Sequence, residues 1–207
     1  MIDLAKHWDF VYGTKDTNKV SWYQNSPDTS RKLIEKYVMD HDAPIVDVGT
    51  GSSNLPSCLI QDGYTDISVI EISQLAVKSS MNNLGERSNK VKWHIMNILD
   101  FEAEYEYMVW HDRAVFHFLK TNEEQERYKE ILYKYLKESG YAIFATFSKN
   151  DGPKKCSGLD VCQHDNQSIS DLFAPEFIVV ESFEEMHATP SGKNQKFYWN
   201  IIKKGKP

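Results

Sequence analysis

Hydrophobic and polar residues alternate along the chain with two different periods. Five short apolar runs predict buried strands: PIVDVG (44–49), DISVIEI (66–72), VKWHIMNI (91–98), EYEYMVW (104–110) and GYAIFATF (140–147). Between most of these runs, apolar residues recur three and four positions apart, which is the spacing of one helix face. Because parallel strands need crossover connections, this alternation predicts an α/β fold with an open, mostly parallel sheet and helices on both faces.

Residues that begin and end helices mark the predicted boundaries. Ser26 is expected to cap a helix whose first position is Pro27. Glycine is expected to close the next two helices, over 56–61 and in SQLAVKSSMNNLG (73–85). The TNEE stretch (121–124) predicts a capping box for a further helix. Its inner face is formed by Tyr128, Ile131, Leu132, Tyr135 and Leu136.

The end of the chain breaks the alternation. FIVVESFEEMH (177–187) and QKFYWNII (195–202) are extended runs joined only by ATPSGKN, with no helix between them, so they predict an antiparallel hairpin. Together with the five earlier strands they give a Rossmann-like, seven-stranded sheet. The Gly- and Lys-rich stretch KNDGPKKCSGL (149–159) is interpreted as a long loop.

Composition restricts the class of protein. A chain of 207 residues with 41% hydrophobic and 26% charged residues is expected to fold as one globular domain. Its apolar runs are too short for a membrane span. A net charge of −6 argues against binding nucleic acid through phosphate contacts. Three cysteines suggest no disulfide framework, and residues 1–10 lack a signal-peptide core, so a cytoplasmic protein is expected.

The stretch IVDVGTGSSN (45–54) indicates a ligand site at the end of the first strand. Ligands of open α/β sheets bind at the carboxyl ends of the strands. A dinucleotide fingerprint needs a third glycine where this chain has Asn54, and Asp47 would repel a pyrophosphate. A nicotinamide oxidoreductase is therefore the weaker interpretation. An acid at the end of the second strand, Glu71, lies 20 residues after Gly51, which is the spacing of a ribose-binding carboxylate.

The parallel sheet with a terminal hairpin and the D-x-G-x-G pattern resemble class I S-adenosylmethionine-dependent methyltransferases. The resemblance implies S-adenosyl-L-methionine as cofactor and one domain over 1–207, with a lid segment at 1–25 and a Rossmann-like core at 26–207. It places the cofactor at the following residues: Asp47, Gly49, Gly51, Glu71, Ile72, Asn97 and Ile98. Asp47 would lie near the cationic methionine end, Glu71 at the ribose, and Asn97 with Ile98 around adenine. The family often has Asp at the position of Asn97.

Aromatic residues are concentrated in the predicted lid. Trp8, Tyr12 and Trp22 precede the first strand. By the same resemblance, such a segment closes over the cofactor, where aromatic faces stabilise a sulfonium and exclude water. The alternative is that these rings only pack the segment onto the sheet.

The segment VWHDRAVFHFL (109–119) follows the predicted fourth strand, where this fold places groups that meet the methyl acceptor. With the Trp8–Tyr12 spacing, VIEIS, MNILDF and WHDRA, it looks like the thiopurine and tellurite-resistance type of small-molecule methyltransferase over about residues 7–148. The resemblance implies that Arg113 orients an anionic acceptor, that Asp112 holds the loop or takes a proton, and that His111 touches the cofactor.

A general base is not singled out. His111, Asp112, His117 and His187 are candidates, and a base is needed only if the acceptor loses its proton late. His117 would stay near Arg113 if the segment were helical, although a histidine between two phenylalanines is more often a packed core residue. No metal site is expected, because the spacing of the pair Cys156 and Cys162 with His164 fits no structural zinc pattern.

The predicted function is methyl transfer to a small-molecule nucleophile by in-line displacement. The acceptor is a thiol, another soft nucleophile or a carboxylate. A protein lysine methyltransferase is the main alternative, because WDFVY (8–12) followed by Trp22–Tyr23 also resembles enzymes that modify elongation factors. Those enzymes carry Asp-Lys-Gly-Thr where this chain has HDRAVF. A binding module that senses the cofactor without turnover is a further alternative.

Overall fold

A computed structural model describes residues 3–205 as a seven-stranded sheet with helices on both faces. In spatial order the strands are β3 (Val91–Ile95), β2 (Ile67–Glu71), β1 (Ile45–Val48), β4 (Tyr107–Arg113), β5 (Leu136–Phe147), β9 (Asn194–Lys204) and β8 (Phe177–Ala188). The first five are parallel, and β9 runs antiparallel to both of its neighbours. The predicted fold class is confirmed. Residues 1, 2, 206 and 207, which the predicted lid and core include, lie outside the described range.

Six α-helices surround the sheet over the described residues. They are α1 (Leu4–Thr14), α2 (Asp28–Tyr37), α3 (Leu55–Gln61), α4 (Gln74–Leu84), α5 (Asn122–Tyr135) and α6 (Asn166–Phe173). Successive residues of β1 point to opposite faces, so Ile45 packs in one hydrophobic cluster with α2 and α3, while Val46 packs in the other with α5 and α6. Within residues 3–205, none of the helices has the length and apolar character needed to cross a bilayer.

The ends of the helices agree with the sequence at most positions. Thr121 accepts a hydrogen bond from the Glu124 amide, and the Glu124 carboxylate accepts one from the Thr121 amide, which confirms the capping box. The prediction for Ser26 is wrong. Pro27 occupies the capping position of α2, and the Ser26 hydroxyl donates to the Asp28 carboxylate instead of accepting an amide proton. A hydrogen bond from the Ser26 hydroxyl to the charged Asp28 carboxylate is stronger than one from a neutral backbone amide to the hydroxyl.

Strand β4 is shifted by three residues from the predicted run: it begins at Tyr107 instead of residue 104 and ends at Arg113 instead of residue 110. His111 and Asp112 are therefore strand residues, paired in register with Asp47 and Val48 of β1. The apolar pattern ended early because these two polar side chains are buried inside the protein with polar partners. Since consecutive strand residues face opposite sides, His111 and Asp112 lie on different faces of the sheet.

The segment between β5 and β8 contains structure that the sequence did not predict. Residues interpreted as part of a long loop form a short hairpin of β6 (Lys155–Cys156) and β7 (Leu159–Asp160), which turns through the positive φ angles of Ser157 and Gly158. Helix α6 follows and is capped by Asp165, which accepts a hydrogen bond from the Ser168 amide at 2.8 Å. An acid three residues before serine, followed by Ile169 and Phe173 at helical spacing, was the available signal.

Candidate active site

Two adjoining cavities lie at the carboxyl ends of the parallel strands. The first contains about 890 Å³ of empty space including its open mouth, and the ends of β1, β2, β3 and β4 contribute Val48, Glu71, Asn97 and Arg113 to its wall. The second is lined by Asp47, Thr50 and His111. Gly49, Trp22 and Arg113 line both cavities. The strand ends singled out from the sequence thus meet at one edge, divided between two compartments.

The two glycines after β1 make the approach of neighbouring side chains feasible. A Cβ atom on Gly49 would lie 1.9 Å from Val115 Cγ2, and one on Gly51 would lie 2.2 Å from the Tyr12 hydroxyl. Both residues also have positive φ angles, of 66° and 54°. The turn is therefore restricted to glycine both by its backbone angles and by the close contacts with Val115 and with Tyr12 of α1.

The Glu71 carboxylate is fixed by backbone amides at the wall of the first cavity. Its Oε2 accepts a hydrogen bond from the Gly51 amide and its Oε1 one from the Ser73 amide, each at 2.8 Å. The side chain is 5% exposed, and burial raises its pKa to about 7 despite these bonds. Each oxygen keeps a second lone pair, so the carboxylate is able to accept two further hydrogen bonds.

The end of β3 forms an apolar slot beside Glu71. Ile72, Met96, Asn97 and Ile98 all line the first cavity. Asn97 Oδ1 accepts a hydrogen bond from the Leu99 amide at 3.0 Å and so caps a short 3₁₀ helix, Ile98–Asp100. The side-chain nitrogen of Asn97, Nδ2, is therefore the group available to donate a hydrogen bond to a ligand.

Aromatic rings from the predicted lid cover the first cavity. The Trp8 ring centroid lies 5.8 Å from that of Trp22 and 5.3 Å from that of Phe118. Tyr12 packs against the same tryptophans. Helix α1 is held in this position by Asp9, whose Oδ1 accepts hydrogen bonds from the Ser73 hydroxyl at 2.6 Å and the Leu75 amide at 3.1 Å.

Arg113 presents a buried guanidinium at the junction of the two cavities. Its Nη1 donates to the Trp22 carbonyl at 3.1 Å, and its guanidinium carbon lies 4.7 Å from the centre of the Phe197 ring. Nε and Nη2 are buried and have no hydrogen-bond partner among residues 3–205. Burial lowers the pKa of this group to about 10, which still leaves it cationic near neutral pH.

A chain of three buried polar side chains borders the second cavity. His111 Nδ1 lies 2.7 Å from Asp47 Oδ1, and His111 Nε2 lies 2.9 Å from the Ser30 hydroxyl. All three residues are at most 2% exposed. Within the described part of the chain, Asp47 Oδ2 and the Thr50 hydroxyl are buried without a partner.

Asp112, for which the resemblance implied holding the loop or taking a proton, lines neither of these two cavities. Its carboxylate accepts hydrogen bonds from the Val115 amide at 3.0 Å, the Phe116 amide at 3.1 Å and the Tyr128 hydroxyl at 2.7 Å. These bonds hold the turn after β4, in which Ala114 has a φ of 72°. The geometry favours the loop-holding role over the transfer of a proton.

The other candidate bases are engaged in packing. His117 lies in a 3₁₀ turn, not in an α-helix, and its buried ring accepts a hydrogen bond from the Phe147 amide at 3.3 Å. Burial lowers its pKa to about 3. His187 Nε2 donates to the Ser21 carbonyl at 2.8 Å and ties the terminal hairpin to the lid segment. Both positions favour a structural role.

Cys156 and His164, whose spacing with Cys162 fits no structural zinc pattern, have different surroundings in the structure. Cys156 lines the first cavity, and burial raises the pKa of its thiol to about 11. His164 is 4% exposed and lies against Phe116, with ring centroids 5.4 Å apart. No group of three His, Cys, Asp or Glu side chains suited to a metal ion occurs among the described residues.

Comparison with known proteins supports one fold. No family model matches the sequence. A SAM-dependent methyltransferase from Anabaena variabilis superposes with a TM-score of 0.74 and 14% identity, covering 99% of this chain and 96% of that one. Burkholderia thailandensis 1,6-didemethyltoxoflavin-N1-methyltransferase, with bound S-adenosylhomocysteine, gives 0.76 and 13% over 98% and 88%. The chain has the class I methyltransferase fold.

One sequence relative of the chain is named as a methyltransferase. Human EEF1A lysine methyltransferase 2 is 21% identical over 160 residues, which is 70% of this chain and 68% of the human protein. The resemblance to class I methyltransferases is thus confirmed at the level of the fold. The narrower resemblance to the thiopurine and tellurite-resistance type stays a prediction.

Several residues of the site in this methyltransferase fold were not predicted from the sequence. Phe147 and Phe197 come from β5 and β9, and Cys156 comes from the short hairpin; all three line the first cavity. Ser30 reaches His111 from α2. Its position in the first turn of a helix gave no signal, because the contact depends on how α2 packs across β1 and β4.

Proposed function

We propose that the chain is an S-adenosylmethionine-dependent methyltransferase that acts on a small, anionic or electron-rich acceptor. The observation that carries the proposal is the meeting of the two cavities at Gly49, Trp22 and Arg113. One cavity offers a carboxylate able to accept ribose hydroxyls, and the other offers a buried carboxylate oxygen that has no partner among the described residues. A ligand with a neutral nucleoside at one end and a cationic amino-acid portion at the other fits both.

The first cavity suits the adenosine portion. Glu71 would accept the two ribose hydroxyls with its remaining lone pairs. Ile72 and Ile98 provide apolar surfaces for the adenine ring, and the Asn97 amide nitrogen would donate to a ring nitrogen, since its oxygen already caps the 3₁₀ helix. This differs from an Asp at the same position, which would accept from the adenine amino group.

The second cavity suits the methionine portion. Asp47 Oδ2, which has no partner in the part of the chain that the structure describes, is a strong acceptor for an ammonium group, and Thr50 adds a hydroxyl. Trp22 lies between the compartments and would place an aromatic face near the sulfonium. The bound cofactor would supply a methyl group on a positively charged sulfur, which leaves as a neutral thioether.

The acceptor would occupy the part of the first cavity walled by Phe118, Phe147, Cys156 and Phe197. Arg113 presents two unpartnered nitrogens there, Nε and Nη2, as judged over residues 3–205. A buried cation attracts an anionic acceptor and repels the ammonium of a lysine side chain. This contrast favours a small molecule over a protein lysine.

The chain's own contribution to an in-line displacement would be alignment and exclusion of water. The aromatic lid over the cavity strips solvent from the reacting groups, and Arg113 orients the acceptor. In the proposed acceptor region, the Cys156 thiol has a pKa raised to about 11 and is protonated near neutral pH, while Glu71, with a pKa of about 7, is assigned to the ribose hydroxyls. We therefore infer an acceptor that arrives already ionised, such as a thiolate or a carboxylate.

A protein lysine methyltransferase is the second candidate, because the human relative of this chain is named as one. Its support is sequence similarity alone. Against it stands the buried guanidinium in the acceptor region. A cytoplasmic location remains a prediction for either candidate.

Two measurements test the proposal. Calorimetry should show binding of S-adenosylhomocysteine and no binding of NADH; the reverse result would restore the oxidoreductase. Incubation with methyl-labelled cofactor should then label members of a panel of thiols and carboxylates and leave lysate proteins unlabelled. Label confined to protein bands would favour the lysine methyltransferase, and binding without label in either fraction would favour a sensor.

A further inference from the structure

The buried chain from Ser30 through His111 to Asp47 has no role in the proposal above beyond the contribution of Asp47. Its two contacts, of 2.9 Å and 2.7 Å, are short and connect three elements: α2, β4 and β1. Ser30 is 1% exposed and was not a candidate from the sequence. A fully buried polar chain of this kind is costly unless every member is satisfied.

The sheet register explains how His111 reaches Asp47. The two residues are direct partners in the parallel pairing of β1 and β4, so their side chains point to the same face. Helix α2 covers that face, and Ser30 lies in its first turn. The imidazole is thereby held between a helix hydroxyl and a strand carboxylate.

The direction of the hydrogen bonds follows from the chemistry of the groups. A carboxylate only accepts, so His111 Nδ1 donates to Asp47 Oδ1. With a neutral imidazole, Nε2 then accepts from the Ser30 hydroxyl. One oxygen of Asp47 is thus occupied, and the other, Oδ2, is the unpartnered oxygen at the second cavity, as judged over residues 3–205.

We propose that Ser30 and His111 are positioning residues for the cofactor: they fix the Asp47 carboxylate so that Oδ2 receives the ammonium group of the methionine portion. The inference rests on the proposed function and adds to it Ser30, which also lines the second cavity and whose hydroxyl is bonded to His111. The order hydroxyl–imidazole–carboxylate also occurs in hydrolases. Here the free acceptor is at the carboxylate end and the hydroxyl is buried, so a positioning role fits better than a nucleophile.

The test compares two ligands that share adenosine but differ at the methionine end. S-adenosylhomocysteine carries the ammonium group, whereas 5′-methylthioadenosine lacks the amino-acid portion. Calorimetry with Ser30→Ala should show S-adenosylhomocysteine bound about fivefold to tenfold more weakly, as expected for one disturbed charge-assisted hydrogen bond. Binding of 5′-methylthioadenosine should stay within about twofold of the starting protein. Ser30→Thr, which keeps the hydroxyl, should restore affinity for S-adenosylhomocysteine.

A buried serine outside the site provides the matched control. Ser68 is 0% exposed on β2 and is hydrogen-bonded to Tyr107, so Ser68→Ala reports the general cost of removing a buried hydroxyl. If Ser30→Ala does not fold, Ser30→Cys provides the same comparison with a poorer hydrogen-bonding group of similar size.

Three results would overturn the inference. An equal loss of affinity for both ligands would show that Ser30 only supports the fold, and no loss for either would show that Asp47 needs no such support. If the unaltered protein binds neither ligand, the proposed function itself fails. If the unaltered protein binds both ligands but Ser30→Ala shows no selective loss for S-adenosylhomocysteine, the positioning role is refuted and the proposed function is not.

Discussion

The Glu71 carboxylate accepts a hydrogen bond from the Gly51 amide at 2.8 Å while burial raises its pKa to about 7. A raised carboxyl pKa means that the contribution of this group to the stability of the ligand-free protein is present at low pH and is lost as the pH rises through about 7. The ionised form, however, is the one able to accept two ribose hydroxyls. Cofactor affinity should therefore increase over the same pH range in which the ligand-free protein loses this stabilisation.

We expect the dissociation constant of S-adenosylhomocysteine to fall about tenfold between pH 6 and pH 8. With a pKa of about 7, roughly a tenth of Glu71 is ionised at the lower pH and most of it at the higher. Calorimetry across this range measures the effect. Glu71→Ala is the control: it should weaken binding at pH 8 at least tenfold, about 1.4 kcal/mol, and abolish the pH dependence. A persisting slope in that variant would assign the titration to another group.

Arg113 should act on the acceptor and not on the cofactor. Arg113→Ala removes Nε and Nη2, the two nitrogens that have no partner within residues 3–205, and should lower kcat/KM for an anionic acceptor about tenfold to a hundredfold. The affinity for S-adenosylhomocysteine should stay within about twofold. Steady-state kinetics with an acceptor found in the labelling panel, and calorimetry on the same variant, measure the two effects.

Arg113→Lys is the matched variant, since it keeps the charge and loses the planar fork of donors. It should recover only part of the lost activity. An equal loss of acceptor turnover and cofactor affinity in Arg113→Ala would contradict an acceptor-side role and place the guanidinium at the methionine carboxylate.

Position 49 should not accept a side chain, for two reasons that can be separated: backbone strain and a steric clash. Gly49→Ala places a Cβ 1.9 Å from Val115 Cγ2 at a φ of 66°, so backbone strain and a clash should together cost about 2–4 kcal/mol of unfolding free energy. Gly192 has a φ of 78°, but a Cβ atom added there would meet no neighbouring group within 4 Å, so Gly192→Ala should cost only about 1 kcal/mol. Urea unfolding measures both. Equal costs would show that Val115 moves aside freely.

The parts of the site that follow from local pattern were predictable from the sequence. Asp47, Glu71 and Asn97 each end an apolar run, and the carboxyl ends of parallel strands meet at one edge. Once the order of the strands in the sheet is known, these residues are expected at adjoining cavities, where the structure has them. The helix caps followed likewise from local hydrogen bonding, except at Ser26, where a neighbouring acid competes for the hydroxyl.

The parts that depend on contacts between distant segments were not predictable. His111 looked like the start of a loop because polarity ended the apolar pattern, yet the side chain is buried against Asp47 in the adjacent strand. Ser30, Phe147 and Phe197 reach the site only because α2, β5 and β9 pack around it. The pattern of apolar and polar residues in one segment does not indicate which side chain of another segment will form a hydrogen bond with its polar groups or pack over them.

Two of the buried histidines, His117 and His164, should make the protein sensitive to acid. Burial lowers the pKa of His164 to about 4 and that of His117 to about 3, below the value of about 6.5 in an unfolded chain. A lowered histidine pKa means that the unfolded state binds the proton more tightly, so the stabilisation is present above about pH 6.5 and is lost as the pH falls toward 4. For His164 alone this corresponds to about 2 kcal/mol between pH 7 and pH 4.5.

His164→Phe tests this assignment without leaving a cavity. Both ring nitrogens of His164 are buried and have no hydrogen-bond partner over residues 3–205, and the ring lies against Phe116, so a phenyl ring satisfies the packing and removes the titration. The variant should match the unaltered protein at pH 7 within about 1 kcal/mol and exceed its stability near pH 4.5 by about 2 kcal/mol in urea unfolding. His41→Gln, at an exposed position, controls for the loss of an imidazole. If the acid sensitivity is unchanged in His164→Phe, the proton is taken up elsewhere, and the same measurement on a His117 variant identifies whether that ring is the site.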